Sequence, residues 1–197
     1  MRFKLGLTGS IGMGKSTTAK MFQQLGCALW DADAAVHRLY SAGGAAVDPI
    51  KDAFPSAIND GSVSRDALKT LLSEDPSALK TLESIVHPLV QQDRAGFVAQ
   101  NPNKIGVFDI PLLFETGGDQ EMDAVACVSV SPQIQRDRVL ARGTMSEDTF
   151  AQIRARQMPN EDKVKRSTYV IETDTLDHAR EQVAAVVQDI ERRLRDA

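Results

Sequence analysis

Cysteine is nearly absent. Cys27 and Cys127 are the only two in 197 residues, and they form neither a C-x-x-C pair nor a zinc-ligand spacing. That excludes a disulfide-stapled scaffold and a zinc ribbon. Both lie in apolar runs and read as small core residues of a reducing compartment. Long hydrophobic runs are missing as well: no apolar stretch nears the roughly 20 residues that cross a bilayer. Arg2 and Lys4 lead straight into glycines rather than into the apolar core of a signal peptide. A cytoplasmic protein with no membrane partner is expected. There is no excess of positive charge either. The net charge is -4, which argues against a chain-wide nucleic-acid surface. No internal repeat, low-complexity tract or long linker interrupts the chain. What remains, 42% hydrophobic and 25% charged residues, is enough for one buried core. A single domain with small insertions is expected over 1–197, and a monomer.

Strand and helix signals alternate along the chain. "FKLGLT" (3–8) is an apolar run broken by one glycine, the pattern of a buried parallel strand. "CALWDAD" (27–33), "IGVFD" (105–109), "AVACVSV" (124–130) and "TYVIE" (168–172) predict four more strands. Helical spacing runs from Thr18 to Leu25, with Gly26 as a stop, and from Leu176 through Val183 and Ile190 to Leu194. Ser131-Pro132, Asp75-Pro76 and Ser146 mark helix starts, and Ser64 can cap "RDALKTLL" after a turn at Asp60-Gly61. Strands separated by helices predict an α/β fold: a five-stranded parallel sheet with helices on both faces, a three-layer sandwich. Residues 60–100 carry no convincing strand and read as a helical insertion.

Glycine, by contrast, is concentrated. Gly9, Gly14, Lys15 and Ser16 fit G-x-x-x-x-G-K-[ST], between a predicted strand and a predicted helix, the context this motif requires. Small residues let successive N–H groups turn inward as a nest for phosphate oxygens, and the helix adds its positive N-terminal end. Gly9, Gly12, Met13, Gly14, Lys15, Ser16 and Thr17 are the expected ATP-binding residues. Lys15 brings a mobile charge to the β- and γ-phosphates, and the Ser16 hydroxyl is a hard oxygen ligand for Mg²⁺.

Three further groups can carry chemistry. Asp31 and Asp33 follow the second strand at the carboxyl edge of the sheet, where α/β proteins bind ligands. Asp33 is expected to accept the proton of an attacking hydroxyl, or else to cap a helix, and Asp31 reads as a surface charge. "VFDIPLLFE" (107–115) ends an apolar strand in Asp109, placed as a Walker-B acid that holds Mg²⁺ through water, with Glu115 in reach of the same cleft. Residues 136–166 hold eight basic and five acidic side chains, a net of +3 that leaves -7 on the rest of the chain. A basic segment in an acidic chain fits a lid over phosphates, with Arg138 and Arg142 on one helical face as its principal arginines. His87, before Pro88, either ends a helix or touches the ligand. Trp30 reads as core.

Taken together, "LTGSIGMGKST", "DAD" from 31, "DGSVSRDAL" (60–68), "LESIVHP" (82–88), "DIPLLFE" (109–115) and "QRDRVLAR" (135–142) resemble the dephospho-CoA kinase family, in order and over nearly the whole chain. Arg154-x-x-Gln157 is similar as well. The resemblance implies a P-loop nucleoside-kinase-like core over about 1–59, 101–134 and 167–197, a helical acceptor subdomain over about 60–100, and a lid over about 135–166. It implies transfer of the ATP γ-phosphoryl group to the ribose 3′-hydroxyl of dephospho-CoA, giving CoA and ADP, with Mg²⁺. On this reading Lys15, Asp33 and Arg142 are catalytic. Arg138 and Arg142 join the ATP-binding loop, Asp33, His87, Asp109 and Glu115 meet the acceptor, and Ser16 and Asp109 hold the metal. Where the family often shows A-D-x-x-I-x-N-x-G, this chain has "STYVIETDT" (167–175), keeping Ile171 but holding Thr168 at the Asp position and no asparagine. Another small-molecule or nucleoside kinase on the same fold is the alternative. A guanine-reading switch is excluded because Asn103-Lys104 is followed by Ile105-Gly106, not by the aspartate of N-K-x-D.

Overall fold

The computed structural model describes residues 1–196. The chain order is β1 (Phe3–Thr8), α1 (Lys15–Gln24), β2 (Ala28–Asp31), α2 (Ala32–Tyr40), α3 (Val47–Ala53), β3 (Ile58–Asn59), β4 (Ser62–Val63), α4 (Arg65–Glu74), α5 (Ala78–Gln100), β5 (Ile105–Asp109), β6 (Ala124–Ser129), α6 (Pro132–Ala141), α7 (Glu147–Arg156), α8 (Asn160–Arg166), β7 (Tyr169–Glu172) and α9 (Leu176–Asp196). Five strands form one sheet in the order β2-β5-β1-β6-β7. β1 runs parallel to β5 and β6, and β6 runs parallel to β7. The expected parallel α/β core is therefore present, with β1 in the middle and the glycine-rich stretch leaving its carboxyl end.

The sheet side chains alternate between two packed faces, as a period of two requires. Leu5, Leu7, Ala124, Ala126, Val128 and Ile171 face Phe22 of α1 and Val183 and Ile190 of α9 in one apolar cluster. Each buried Leu, Val, Ile or Phe among them contributes about 1.5–3 kcal/mol. Val125, on the opposite face, packs with Leu113 and Phe114. Gly6 breaks the apolar run of β1 for a steric reason: a Cβ there would lie 2.6 Å from Leu113 Cδ2. Trp30 is buried, with its ring 6.0 Å from that of Phe108, as expected of a core residue. Burial pushes both thiols, Cys27 and Cys127, up to about 11, so both stay protonated and unreactive at neutral pH.

The chain divides into two compact units, residues 1–30 with 101–197 and residues 31–100. The second unit thus begins at Asp31, ahead of the helical insertion expected from residue 60. It has its own core, in which Leu39, Ile50, Leu68, Leu82 and Val86 are buried together. Asp60 and Gly61, both at positive φ, turn the two-residue strands β3 and β4 into a small antiparallel hairpin. Ser64 caps α4, its Oγ accepting from the Ala67 N–H at 3.2 Å. Pro88 does not end a helix at His87. α5 runs through it to Gln100, because burial of Leu82 and Val86 against the unit's core outweighs the hydrogen bond that a proline removes. Among the described residues, no helix is long and apolar enough to cross a membrane.

Candidate functional site

Between β1 and α1 the chain curls rather than continuing straight. Gly12 sits at φ +79, where a side chain is strained, and a Cβ there would lie 2.5 Å from Val139 Cγ2 on α6. Gly14 is the N-cap of α1 and offers no side-chain cap. The first N–H groups of α1 therefore lack both an intrahelical partner and a cap, leaving donors and the positive end of the helix facing outward. The first intrahelical donor is Thr18, whose N–H donates to the Gly14 carbonyl at 3.1 Å. Lys15 opens the helix, and Ser16 and Thr17 are exposed on its first turn.

Lys15 Nζ is paired with the Asp109 carboxylate. That carboxylate is 2% exposed and ends β5, in register with Leu7 on β1, so neighbouring parallel strands bring the acid to the loop. A buried carboxylate beside an ammonium is a charged, hard oxygen donor. Together with the exposed hydroxyl of Ser16 it forms a donor set suited to a magnesium ion rather than to a soft metal.

Arg138 and Arg142 leave α6 on the side of α1. Together with Gly14, Thr17, Thr173 and Leu176 they line a cavity of about 210 Å³. Arg142 is the C-cap residue of α6 and is exposed. Arg138 donates to Thr173 Oγ1 at 3.0 Å, to the Thr173 carbonyl and to the Asp174 carbonyl at 3.3 Å. The Thr173 hydroxyl in turn donates to the Met13 carbonyl at 2.8 Å. Arg138 thus ties α6 to the segment after β7 and, through Thr173, to the glycine loop. Within the segment 167–175 the link runs through Thr173 and through backbone carbonyls.

Glu115, expected to meet substrate, makes an ion pair and a backbone hydrogen bond within the fold. Its Oε1 accepts from Lys163 Nζ at 2.8 Å and from the Met158 N–H at 2.9 Å. Lys163 is 0% exposed and also donates to the Pro111 carbonyl at 3.0 Å, which accepts from Thr8 Oγ1 as well. Burial raises the Glu115 pKa, but the hydrogen bonds from Lys163 and from the Met158 N–H outweigh it and hold the carboxyl below its ordinary value of 4.5. Replacing Lys163 by methionine is expected to cost about 1–2 kcal/mol, because Glu115 loses its partner while solvent reaching the carboxylate screens part of the loss. For a chain of this size that is a fall of roughly 2–8 °C in Tm. The folded-state value is depressed, so the pair's contribution is complete above 4.5 and is lost as pH falls through the folded value. Melting curves should therefore show the gap between wild type and Lys163→Met narrowing below about pH 4.5; a gap constant with pH refutes the ion-pair account.

Asp31 and Asp33 exchange the structural part expected of them. Asp31 is the N-cap of α2, its Oδ1 accepting from the Ala34 N–H at 2.8 Å, whereas Asp33 lies exposed in the first turn. The β2 end leaves Asp31 in extended backbone, which suits the cap, while Asp33 is already helical. His87 is on the exposed side of α5. Three side chains around the loop were not singled out for a role by the sequence: Gln135, Asn160 and Lys163. Gln157 carried a signal through Arg154-x-x-Gln157, and Gln135 lay within the motif "QRDRVLAR" without a role of its own.

The family model described as "Dephospho-CoA kinase" matches residues 3–178. The dephospho-CoA kinase of Ruegeria pomeroyi is 66% identical over 190 residues, 96% of this chain and 96% of that protein. The crystal structure of TT1252 from Thermus thermophilus superposes with a TM-score of 0.85 at 32% identity, covering 95% of this chain and 96% of that one. Dephospho-CoA kinase from Campylobacter jejuni shares the fold, with a TM-score of 0.70 at 23% identity over 95% of this chain and 96% of that one.

Proposed function

The chain belongs to the dephospho-CoA kinase family, and from that premise we propose how its own residues carry the reaction. The reaction is ATP-dependent phosphorylation of the ribose 3′-hydroxyl of dephospho-CoA, giving CoA and ADP, the last step of CoA biosynthesis. The observation that carries the assignment to this chain's residues is the uncapped start of α1 behind Gly12 and Gly14, with Lys15 and Asp109 beside it.

The amides from Gly12 to Thr17 hold the ATP phosphates, and Lys15 exchanges its contact with Asp109 for the β- and γ-phosphates. Adenine occupies the cavity beside Gly14, Thr17 and Leu176, against Arg142. Ser16 and Asp109 would hold Mg²⁺, which would neutralise phosphate charge when bound. Asp33 accepts the proton of the 3′-hydroxyl as that oxygen attacks in line. Arg142 stabilises charge on the phosphoryl group in flight, and residues 135–166 serve as the lid that excludes water. His87 is assigned to the acceptor side with Asp33. The enzyme works on these two soluble substrates as a cytoplasmic monomer; its scarce, buried cysteines fit a reducing compartment, and its net charge of -4 fits the lack of a nucleic-acid partner.

The test is an ADP-release assay coupled to a second enzyme, with dephospho-CoA compared against nucleosides and nucleoside monophosphates. ADP release with dephospho-CoA alone, and a product heavier by one phosphoryl group at the ribose, is the expected result. Equal or faster turnover of a nucleoside replaces this reading with the alternative, another kinase on the same fold.

A further inference from the structure

We propose that Gln135, Gln157 and Asn160 are positioning residues for the glycine loop: they hold its outer peptides so that its inner amides stay turned toward the nucleotide. The inference rests on the reading of this loop as the ATP site. Ser10 N–H donates to Asn160 Oδ1 at 3.2 Å, and Ile11 N–H donates to Gln157 Oε1 at 3.2 Å. Gln135 Nε2 donates to the Ile11 carbonyl at 2.7 Å. Both polar groups of Ile11 are thus held, and by different elements. Gln135 lies within α6, Gln157 is the C-cap of α7 and Asn160 opens α8.

The holders are themselves fixed. Gln135 is buried at 3% exposure among the side chains that wall the loop, with its carbonyl 3.1 Å from the point where a Cβ on Gly12 would sit. Asn160 Nδ2 donates to Ser129 Oγ at 3.1 Å and to the Val128 carbonyl at 3.5 Å, which orients its amide so that Oδ1 meets Ser10. A loop rich in glycine has many conformations, and ordering it only when ATP arrives would weaken binding. Bonds made in advance to its outer half remove that loss and leave the inner N–H groups for phosphate.

The residue types follow from the same chemistry. The loop's N–H groups at Ser10 and Ile11 need acceptors. A carboxylate would accept equally well but would place negative charge beside a triphosphate, whereas a side-chain amide accepts without charge. The Ile11 carbonyl needs a donor, and a glutamine supplies one without the long-range field of a lysine or arginine. Three neutral amides around an anion-binding loop are what these two constraints select. Sequence-adjacent residues cannot do this: the donors and acceptors come from 124, 146 and 150 positions away.

The experiment compares wild type with Gln157→Met, which keeps length and removes the acceptor. Gln157→Glu keeps the acceptor and adds charge, and Gln135→Met removes the donor. ATP affinity is measured by calorimetry without acceptor, and Ile11 amide exchange by NMR in the nucleotide-free enzyme. Gln157→Met and Gln135→Met should each weaken ATP binding about tenfold, as expected when one partner of a partly buried hydrogen bond is lost. The KM for dephospho-CoA should stay within twofold, and Ile11 exchange should quicken about tenfold. Gln157→Glu should keep Ile11 protected yet bind ATP weakly, with the deficit shrinking as salt rises. A folded Gln157→Met or Gln135→Met with unchanged ATP affinity, even if its melting point is lower, overturns the positioning role while leaving the kinase reading intact. A wild-type chain that binds no ATP overturns both.

Discussion

Replacing Lys15 by alanine is expected to lower kcat by about 10³-fold, the scale of losing one positioned charge that acts on a developing anion. The melting point should move too, because Asp109 is 2% exposed and loses the ammonium it pairs with. Removing one partner of a buried pair costs up to about 3 kcal/mol here, given that Lys15 keeps some solvent contact. A fall in activity alone would therefore confuse an unstable enzyme with an incompetent one. The double variant Lys15→Ala/Asp109→Asn separates them. Neutralising position 109 removes the buried negative charge that Lys15 balanced, so thermal stability should recover in part while turnover stays at the Lys15→Ala level or below. Kinetics by ADP release and melting by calorimetry on the same samples check both halves. Wild-type turnover in the single variant would remove the loop from the chemistry altogether.

The Lys15–Asp109 pair also shows what kind of information a sequence makes legible. Each partner is announced locally, Lys15 by the spacing of glycines and Asp109 by an acid at the end of an apolar run. Their meeting follows from β1 and β5 being adjacent parallel strands. β1 and β5 span the residues their patterns predict, 3–8 and 105–109, because a buried parallel strand must be apolar throughout. Caps at Ser64, Ser131 and Ser146 are legible for the same reason: the signal lies within four residues of its effect. Glu115 marks the limit. Its motif is conspicuous, but its partner Lys163 is 48 residues on, and nothing in local spacing says that the carboxylate turns to a buried ammonium. Arg138 is similar, since helical periodicity puts it on the face of Arg142 but does not reveal that the Thr173 and Asp174 carbonyls occupy its guanidinium. Pro88 misleads in the other direction: its local cost is real, and the packing of Leu82 and Val86 overrides it. Chemistry-bearing side chains were readable where one element determines them, and unreadable where two distant elements have to meet.

Asp33→Asn is expected to lower kcat by about 10²–10⁴-fold, the range assigned to a general base. ATP affinity should stay within about twofold, since the loop needs no proton acceptor to bind phosphates. The substitution is mild for the fold. Asp31 performs the capping of α2, so Asp33 is free of that duty, and asparagine retains its shape in the first turn. What it removes is the capacity to take a proton, together with a favourable contact of negative charge with the start of the helix, worth about 0.3–1 kcal/mol. That small term predicts a Tm loss of only a few degrees, too little to mimic a catalytic defect. Single-turnover measurements with both substrates saturating isolate the chemical step from product release, and calorimetry with ATP alone isolates donor binding. An undiminished single-turnover rate would transfer the base role to Asp109. Asp109 would then have to release Lys15 before accepting a proton, and the slow step should respond to substitutions at Lys15 as strongly as to those at Asp109 itself. Coupled losses at 15 and 109 with none at 33, against a dominant loss at 33, distinguish the two arrangements with three purified variants.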